Sequence, residues 1–162
     1  MKKQIKLMTI TGVFTALVFL LTAYLHIPAG TGYVHVGDAF IYVAASILPL
    51  PYALFVAVGG AVLADCLTGY AVWAIASAII KAVAVLFFTS KSKNVICVKN
   101  IIALIPAWVA CIGGYYLYES IISGNFVSPV AGIVPNIIQC TFSTAVFLIA
   151  GFSIDKIKRS QK

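Results

Sequence analysis

Lys81 is the residue whose chemistry most needs an explanation, because it lies inside a long apolar segment. It follows Tyr70 by 11 residues. In a helix that rises about 1.5 Å per residue, it therefore lies roughly 16 Å from the segment's start. A lysine that deep in a membrane costs about 2.5–3.5 kcal/mol, and its side chain is too short to reach water easily. We expect either a buried ion pair with Asp38 or Asp65, or a cation that lines the floor of a ligand pocket.

Three apolar segments carry polar and aromatic side chains at helical spacing, so that each set shares one helix face. The sets are Tyr70, Trp73, Ser77 and Lys81; Trp108, Tyr115 and Glu119; and Asn136, Gln139 and Ser143. A stripe that only packed against its neighbours would be apolar throughout. Three polar stripes that point into one bundle favour a ligand pocket. Hydrogen bonding between helices through Asn136 and Gln139 is the alternative.

Carboxylates and histidines gather at one level of the predicted bundle. Asp38 lies near the start of its segment, whereas Asp65 and Glu119 lie near the ends of theirs, and these three points fall on the same side of the bundle. Ionisable groups beside apolar spans usually face a cavity or a partner. His26 and His35 would complete a metal site with the two aspartates, but a Gly-rich linker separates the histidines and leaves their geometry open. The sequence contains no H-E-x-x-H, G-x-S-x-G or Walker motif. We therefore predict no metal site and no enzymatic activity.

Composition identifies the environment of these residues. Of 162 residues, 62% are hydrophobic and 9% are charged, against about 25% charged in an average soluble domain. So few charges cannot cover a soluble fold, which excludes a soluble enzyme, a disordered tail and a nucleic-acid-binding domain. The net charge of +7 comes mainly from basic residues at the chain ends and in one short loop, as in membrane proteins with cytoplasmic lysines.

Apolar stretches separated by turn residues predict six membrane spans in one domain that covers residues 1–162. The spans are residues 7–25, 36–50, 52–67, 71–89, 101–119 and 130–152. The first is interpreted as a span because no A-x-A cleavage site follows it. Ten of the eleven basic residues then lie on the side of both termini, which the positive-inside rule assigns to the cytoplasm. The sequence thus predicts an all-α integral membrane protein, a six-helix bundle with cytoplasmic termini.

Two motifs and Lys81 together form a recognisable pattern. The motifs are Gly32-Tyr-Val-His-Val-Gly-Asp-Ala39 and Leu63-Ala-Asp-Cys-Leu-Thr-Gly-Tyr70. The pattern resembles the substrate-binding S component of energy-coupling factor (ECF) vitamin transporters, in the branch that includes riboflavin, hydroxymethylpyrimidine and pyridoxine types. Length, span count and orientation agree over the whole chain, whereas residues 90–162 match only in general character.

The resemblance implies a multi-pass subunit of the cell membrane that captures a vitamin or vitamin precursor from outside and holds no cofactor of its own. A separate transmembrane coupling subunit and two ATPase subunits, which bind ATP, would complete the transporter. The first outer loop, residues 26–37 here, would cap the pocket. Gly12 and Ala16 would contact the coupling subunit. The family's signature there is Ala-x-x-x-Ala, from which Gly12 departs while keeping the surface small.

The predicted substrate-binding residues combine rings for stacking, amides for hydrogen bonds, carboxylates and one cation. They are His35, Asp38, Asp65, Tyr70, Trp73, Ser77, Lys81, Glu119, Asn136 and Gln139. Such a lining suits a small, flat, polar heterocycle with hydroxyl groups, and does not separate riboflavin from a pyrimidine or a pyridoxine. The alternatives are an autonomous small transporter, a membrane-embedded enzyme that uses Asp38, Asp65 and His35, and a non-catalytic assembly subunit.

Overall fold

The computed structural model describes residues 1–29 and 32–160, which form a bundle of helices with one β-hairpin. The helices of this part are α1 (Lys2–Ala23), α2 (Gly37–Ile47), α3 (Leu50–Leu67), α4 (Ala74–Leu86), α5 (Val98–Ser123) and α6 (Ile133–Ser160). The strands are β1 (His26–Ala29) and β2 (Gly32–His35), and 3-10 turns at Ala71–Trp73 and Ser128–Gly132 lead into α4 and α6. The helical, membrane-protein character predicted from the sequence is confirmed.

The hairpin is the departure from the predicted all-α fold. Its strands pair antiparallel, with His26 opposite His35 and Ile27 opposite Val34. The sequence predicts only a turn-rich linker here, because four-residue strands that contain Pro28 and glycines show no clear alternation of polar and apolar residues. The hairpin lies at one end of the bundle, the hairpin end. The chain termini and the α4–α5 loop lie at the opposite end, the termini end.

Four segments of the described chain are long and apolar enough to cross a membrane: α1, α3, α5 and Ser128–Ser160, which contains α6. The helix α2 and the segment Ala71–Leu86, which contains α4, are also apolar but shorter. Pro49 and Pro51 separate α2 from α3 as predicted, since Pro51 occupies the first turn of α3, where a missing N–H group costs nothing. Gly69 has a φ of 88°, which makes the turn after α3 possible.

Helices α1 and α3 pack closely at Gly60. A Cβ atom added at Gly60 would lie 2.7 Å from Val18 Cβ and 3.2 Å from the carbonyl oxygen of Thr15. Small residues on the same side of α3 are also buried. They are Ala57, Ala61 and Ala64. Small side chains of this kind let helix backbones approach within a membrane, where packing rather than water drives association.

The termini end is closed by hydrogen bonds from buried polar side chains. Asp155 of α6 accepts the backbone N–H groups of Val95 and Ile96 at 2.7 and 2.9 Å. Asn100 accepts the N–H group of Thr89 at 2.8 Å and donates to the carbonyl groups of Thr89 and Val95. The sequence predicts a polar tail from residue 153, but α6 continues to Ser160 because Asp155 has these partners.

Replacing Gly60 by alanine should destabilise the protein by about 1–3 kcal/mol, because the added methyl group overlaps Val18 in a packed contact. Gly59→Ala is the matched control. Its new Cβ would meet Thr15 at 3.5 Å, an ordinary contact, while alanine favours the helix by up to about 1 kcal/mol. Thermal unfolding midpoints in one detergent compare the two variants. Equal midpoints for both would contradict the close α1–α3 packing.

Candidate substrate-binding cavity

A cavity of about 200 Å³ lies at the hairpin end, between the hairpin and helices α3 to α6. The described residues that line it come from the hairpin, from α3 and α5, and from α4 and α6 with the 3-10 turns that precede them. They are Ala29, Gly32, Tyr33, His35, Asp65, Trp73, Ser77, Tyr115, Glu119, Ser128, Ala131, Gly132, Pro135, Asn136 and Gln139. Most of these residues are polar or aromatic, which is unusual for the interior of an apolar bundle and typical of a ligand site.

Seven of the ten predicted substrate-binding residues meet at this cavity, and their role in binding stays a prediction. The seven are His35, Asp65, Trp73, Ser77, Glu119, Asn136 and Gln139. Asp38, Tyr70 and Lys81 lie outside the lining. Tyr33, which lies in the predicted capping loop, and the segment Ser128–Gly132 were not among the predicted substrate-binding residues. They line the cavity because of the hairpin and a 3-10 turn, neither of which has a clear periodic signal.

The buried pair of Asp38 and Lys81 lies behind the lining. Lys81 Nζ is 2.8 Å from both carboxylate oxygens of Asp38, and the two side chains are 3% and 1% exposed. Gln139 Nε2 donates to Asp38 Oδ2 at 3.0 Å. Gln139 Oε1 accepts the backbone N–H group of His35 at 3.2 Å. Of the two alternatives raised for Lys81, the structure shows the ion pair, and Gln139 connects that pair to the hairpin.

His35 anchors the hairpin to the start of α2. Its Nδ1 accepts the backbone N–H group of Gly37 at 3.1 Å and lies 3.4 Å from Thr22 Oγ1. Burial lowers the pKa of His35 to about 4, although nearby Asp38 opposes the shift. The ring is therefore neutral at physiological pH, with its proton on Nε2 while Nδ1 accepts. A side chain at Gly37 would overlap Thr22 Oγ1, so only glycine fits there.

Asp65 presents one satisfied oxygen and one unsatisfied oxygen. The Tyr33 hydroxyl donates to Asp65 Oδ1, and burial together with this bond raises the pKa of Tyr33. Asp65 Oδ2 is buried and has no hydrogen-bond partner among the described residues. The Tyr70 ring packs 4.6 Å from the Tyr33 ring between centroids, so Tyr70 supports the lining from outside. A buried carboxylate oxygen without a donor is costly, and a ligand N–H or O–H group would satisfy it.

Aromatic rings line the cavity together with the amides of α6. The Trp73 ring lies 5.9 Å from the Tyr115 ring and 5.6 Å from the Tyr118 ring, in tilted and edge-on arrangements. Ser77 Oγ and the Tyr115 hydroxyl are 2.8 Å apart, which fixes the Tyr115 ring. Asn136 and Gln139 line the same cavity. Aromatic rings and amides in one cavity can stack a flat ring and hydrogen-bond its edge.

Comparison with known families decides the class of the protein. The family model described as the S component of ECF-type riboflavin transporters matches residues 2–156. The chain belongs to this family. A comparison with curated proteins finds no match. Because an S component is the substrate-binding subunit of a transporter, the membrane-embedded enzyme considered from Asp38, Asp65 and His35 is excluded.

The metal site considered from the sequence has no counterpart in the cavity of this S component. Within residues 1–29 and 32–160, no three His, Cys, Asp or Glu side chains are grouped as metal ligands. His26 instead bonds to the carbonyl group of Ala23 at 2.8 Å, and its ring packs 4.8 Å from that of Tyr33. His26 and His35 therefore hold the two ends of the hairpin in place.

Replacing Lys81 by methionine should destabilise this S component by about 3–5 kcal/mol, because it leaves the Asp38 carboxylate buried without its counter-charge. Adding Asp38→Asn should restore part of the loss, since the second change removes the stranded charge. Thermal unfolding of the single and double variants in one detergent measures both effects. A double variant no more stable than Lys81→Met alone would show that the two residues do not stabilise each other.

Proposed function

We propose that this S component binds riboflavin in the cavity at the hairpin end, for ATP-driven uptake with separate coupling and ATPase subunits. The observation that carries the proposal is the pairing of an aromatic wall with amides and an unsatisfied carboxylate oxygen, in a chain of the riboflavin S-component family. A flavin has a flat ring system for Trp73 and Tyr115. Its ring edge and ribityl hydroxyls offer donors and acceptors to Asn136, Gln139 and Asp65.

The hairpin is the part of the site that would move to admit the vitamin. At about 200 Å³, the cavity is smaller than the roughly 300–1,000 Å³ of most ligand pockets. The hairpin forms one wall through Tyr33 and His35, and hydrogen bonds of the Tyr33, His35 and Gln139 side chains connect it to the helices. Riboflavin would enter when the hairpin moves outward, and the hairpin would then close as a cap.

The proposed topology has six spans, both termini in the cytoplasm and the cavity open to the outside. The helix α2 has 11 residues and rises about 16 Å, roughly half of a 30 Å hydrocarbon core. Neighbouring helices and the hairpin would shield its ends. In a cysteine-free background, Asn125→Cys should react with an impermeant maleimide in whole cells. Ser92→Cys should react only after permeabilisation, and the reverse pattern would overturn the orientation.

The proposed contact with the coupling subunit lies on α1. Gly12 and Ala16 are exposed, on the side of α1 opposite the buried Thr11, Thr15 and Val18. A Cβ added at Gly12 would meet no atom within 4 Å. The small residues of α3 are buried inside the bundle, whereas Gly12 and Ala16 stay exposed in the part of the chain that the structure describes. A close helix contact with another subunit would use it.

Riboflavin binding is tested by titration of its fluorescence with the purified protein. Trp73→Ala should weaken binding by removing a stacking surface. Asn136→Ala should weaken it by about 1–3 kcal/mol, because a ligand group loses its partner. Trp108→Ala is the matched control, since Trp108 lies outside the cavity and bonds to Thr144 at 3.0 Å. Wild-type affinity in both cavity variants would remove this site from consideration.

Gly12→Trp or Ala16→Trp should abolish co-purification with the coupling subunit while riboflavin binding by the isolated protein persists. The physical reason is that a large side chain holds the two helices apart. Gly113→Trp is the control, because Gly113 lies within α5 and also has open space around an added Cβ. Riboflavin uptake into liposomes without partner subunits would instead support the autonomous transporter.

A further inference from the structure

We propose that the cavity selects by charge, admitting the neutral vitamin and excluding its phosphate esters. The inference rests on the proposed function and concerns the same cavity. Two carboxylates, Asp65 and Glu119, line it, and its described lining contains no lysine or arginine. A phosphate monoester carries about −1.5 to −2 charges at pH 7. It would meet like charges in a partly enclosed site, where repulsion is stronger than in bulk water.

The nearest cation does not offset these carboxylates. Lys81 lies behind the lining, with its Nζ 2.8 Å from both oxygens of Asp38, so the charges of that pair cancel. His35, the histidine in the lining, is neutral at physiological pH because burial lowers its pKa to about 4. The other basic residues within 1–160 belong to the termini end and the α4–α5 loop. A phosphate in the cavity would therefore find no positive side chain.

Helix N-termini are the remaining positive groups at the hairpin end, and carboxylates already accompany two of them. Helix starts attract anions through their free N–H groups and their dipole. Asp38 lies in the first turn of α2. At the start of α6, a Cβ added to Gly132 would lie 3.2 Å from Glu119 Oε2, which places this carboxylate beside the helix start. The start of α2 therefore carries the neutral Asp38–Lys81 pair, and the start of α6 already carries the negative charge of Glu119.

Asp65 also favours the neutral ligand directly, by accepting a hydrogen bond from it. Its buried Oδ2 lacks a partner among the described residues, so a ligand group that donates a hydrogen bond would satisfy it. Riboflavin carries donors in its ribityl hydroxyls and its ring N–H group, and its 5′-phosphate keeps all of them except the terminal hydroxyl, which an ionised group with only acceptors replaces. Asp65 thus hydrogen-bonds a donor of the neutral ligand, whereas its negative charge repels the added phosphate.

The test compares three ligands by titration with the purified protein: riboflavin, riboflavin 5′-phosphate and riboflavin 5′-acetate. The acetate ester is a neutral control for bulk at the same hydroxyl. The wild type should bind the phosphate at least tenfold more weakly than either riboflavin or the acetate. Glu119→Gln should reduce the ratio of the dissociation constants of the phosphate and the acetate several-fold, mainly because the phosphate binds more tightly. Gln4→Lys adds the same unit of charge at an exposed position of the termini end and should leave the ratio unchanged.

Three results would count against the inference. Phosphate and riboflavin affinities within threefold of each other would overturn it while leaving the proposed function in place. Equal exclusion of phosphate and acetate would overturn it in favour of selection by size. Absence of binding by all three ligands would overturn the proposed function, and with it the inference. Asp65→Asn gives a second test, since it should weaken the binding of riboflavin and strengthen the binding of the phosphate ester.

Discussion

The buried ion pair between Asp38 and Lys81 organises the hairpin end of the molecule. Removing two charges from water costs several kcal/mol per ion, which only good geometry and further hydrogen bonds offset. Here Lys81 Nζ lies 2.8 Å from both carboxylate oxygens, and Gln139 supplies the additional bond. Because Gln139 also holds the backbone of His35, three helices and the hairpin meet behind the cavity. These three helices cannot shift far relative to one another without disturbing this pair.

Hydrophobic periodicity and the cost of a buried charge predict much of this arrangement. The depth of Lys81 required a partner, and the structure supplies Asp38, yet the sequence did not distinguish Asp38 from Asp65. That choice depends on how α2 and α4 pack, which spacing along one helix cannot show. The hairpin was also beyond prediction, because its strands are short and show no clear alternation of polar and apolar residues. Asp155 extended α6 through partners 59 and 60 residues away.

Two surfaces of small residues also could not be told apart from the sequence. Gly12 and Ala16 on α1 and Ala57, Gly60 and Ala61 on α3 have similar sequence character. The structure buries the α3 set against Val18 and leaves the α1 pair exposed. Tertiary packing alone separates the internal contact from the free surface. In the cavity, likewise, the polar stripes of the helices were visible in the sequence, whereas Tyr33 enters only through the hairpin.

The shortness of α2 bears on how the chain enters the membrane during synthesis. Because α2 has 11 residues and an aspartate in its first turn, it would insert poorly into the membrane on its own. Asp38 is synthesised 43 residues before its counter-charge, Lys81. Until α4 emerges from the ribosome, the carboxylate has no cation to accompany it into lipid. The first four helices are therefore expected to partition together, as one late event, and not one by one in chain order.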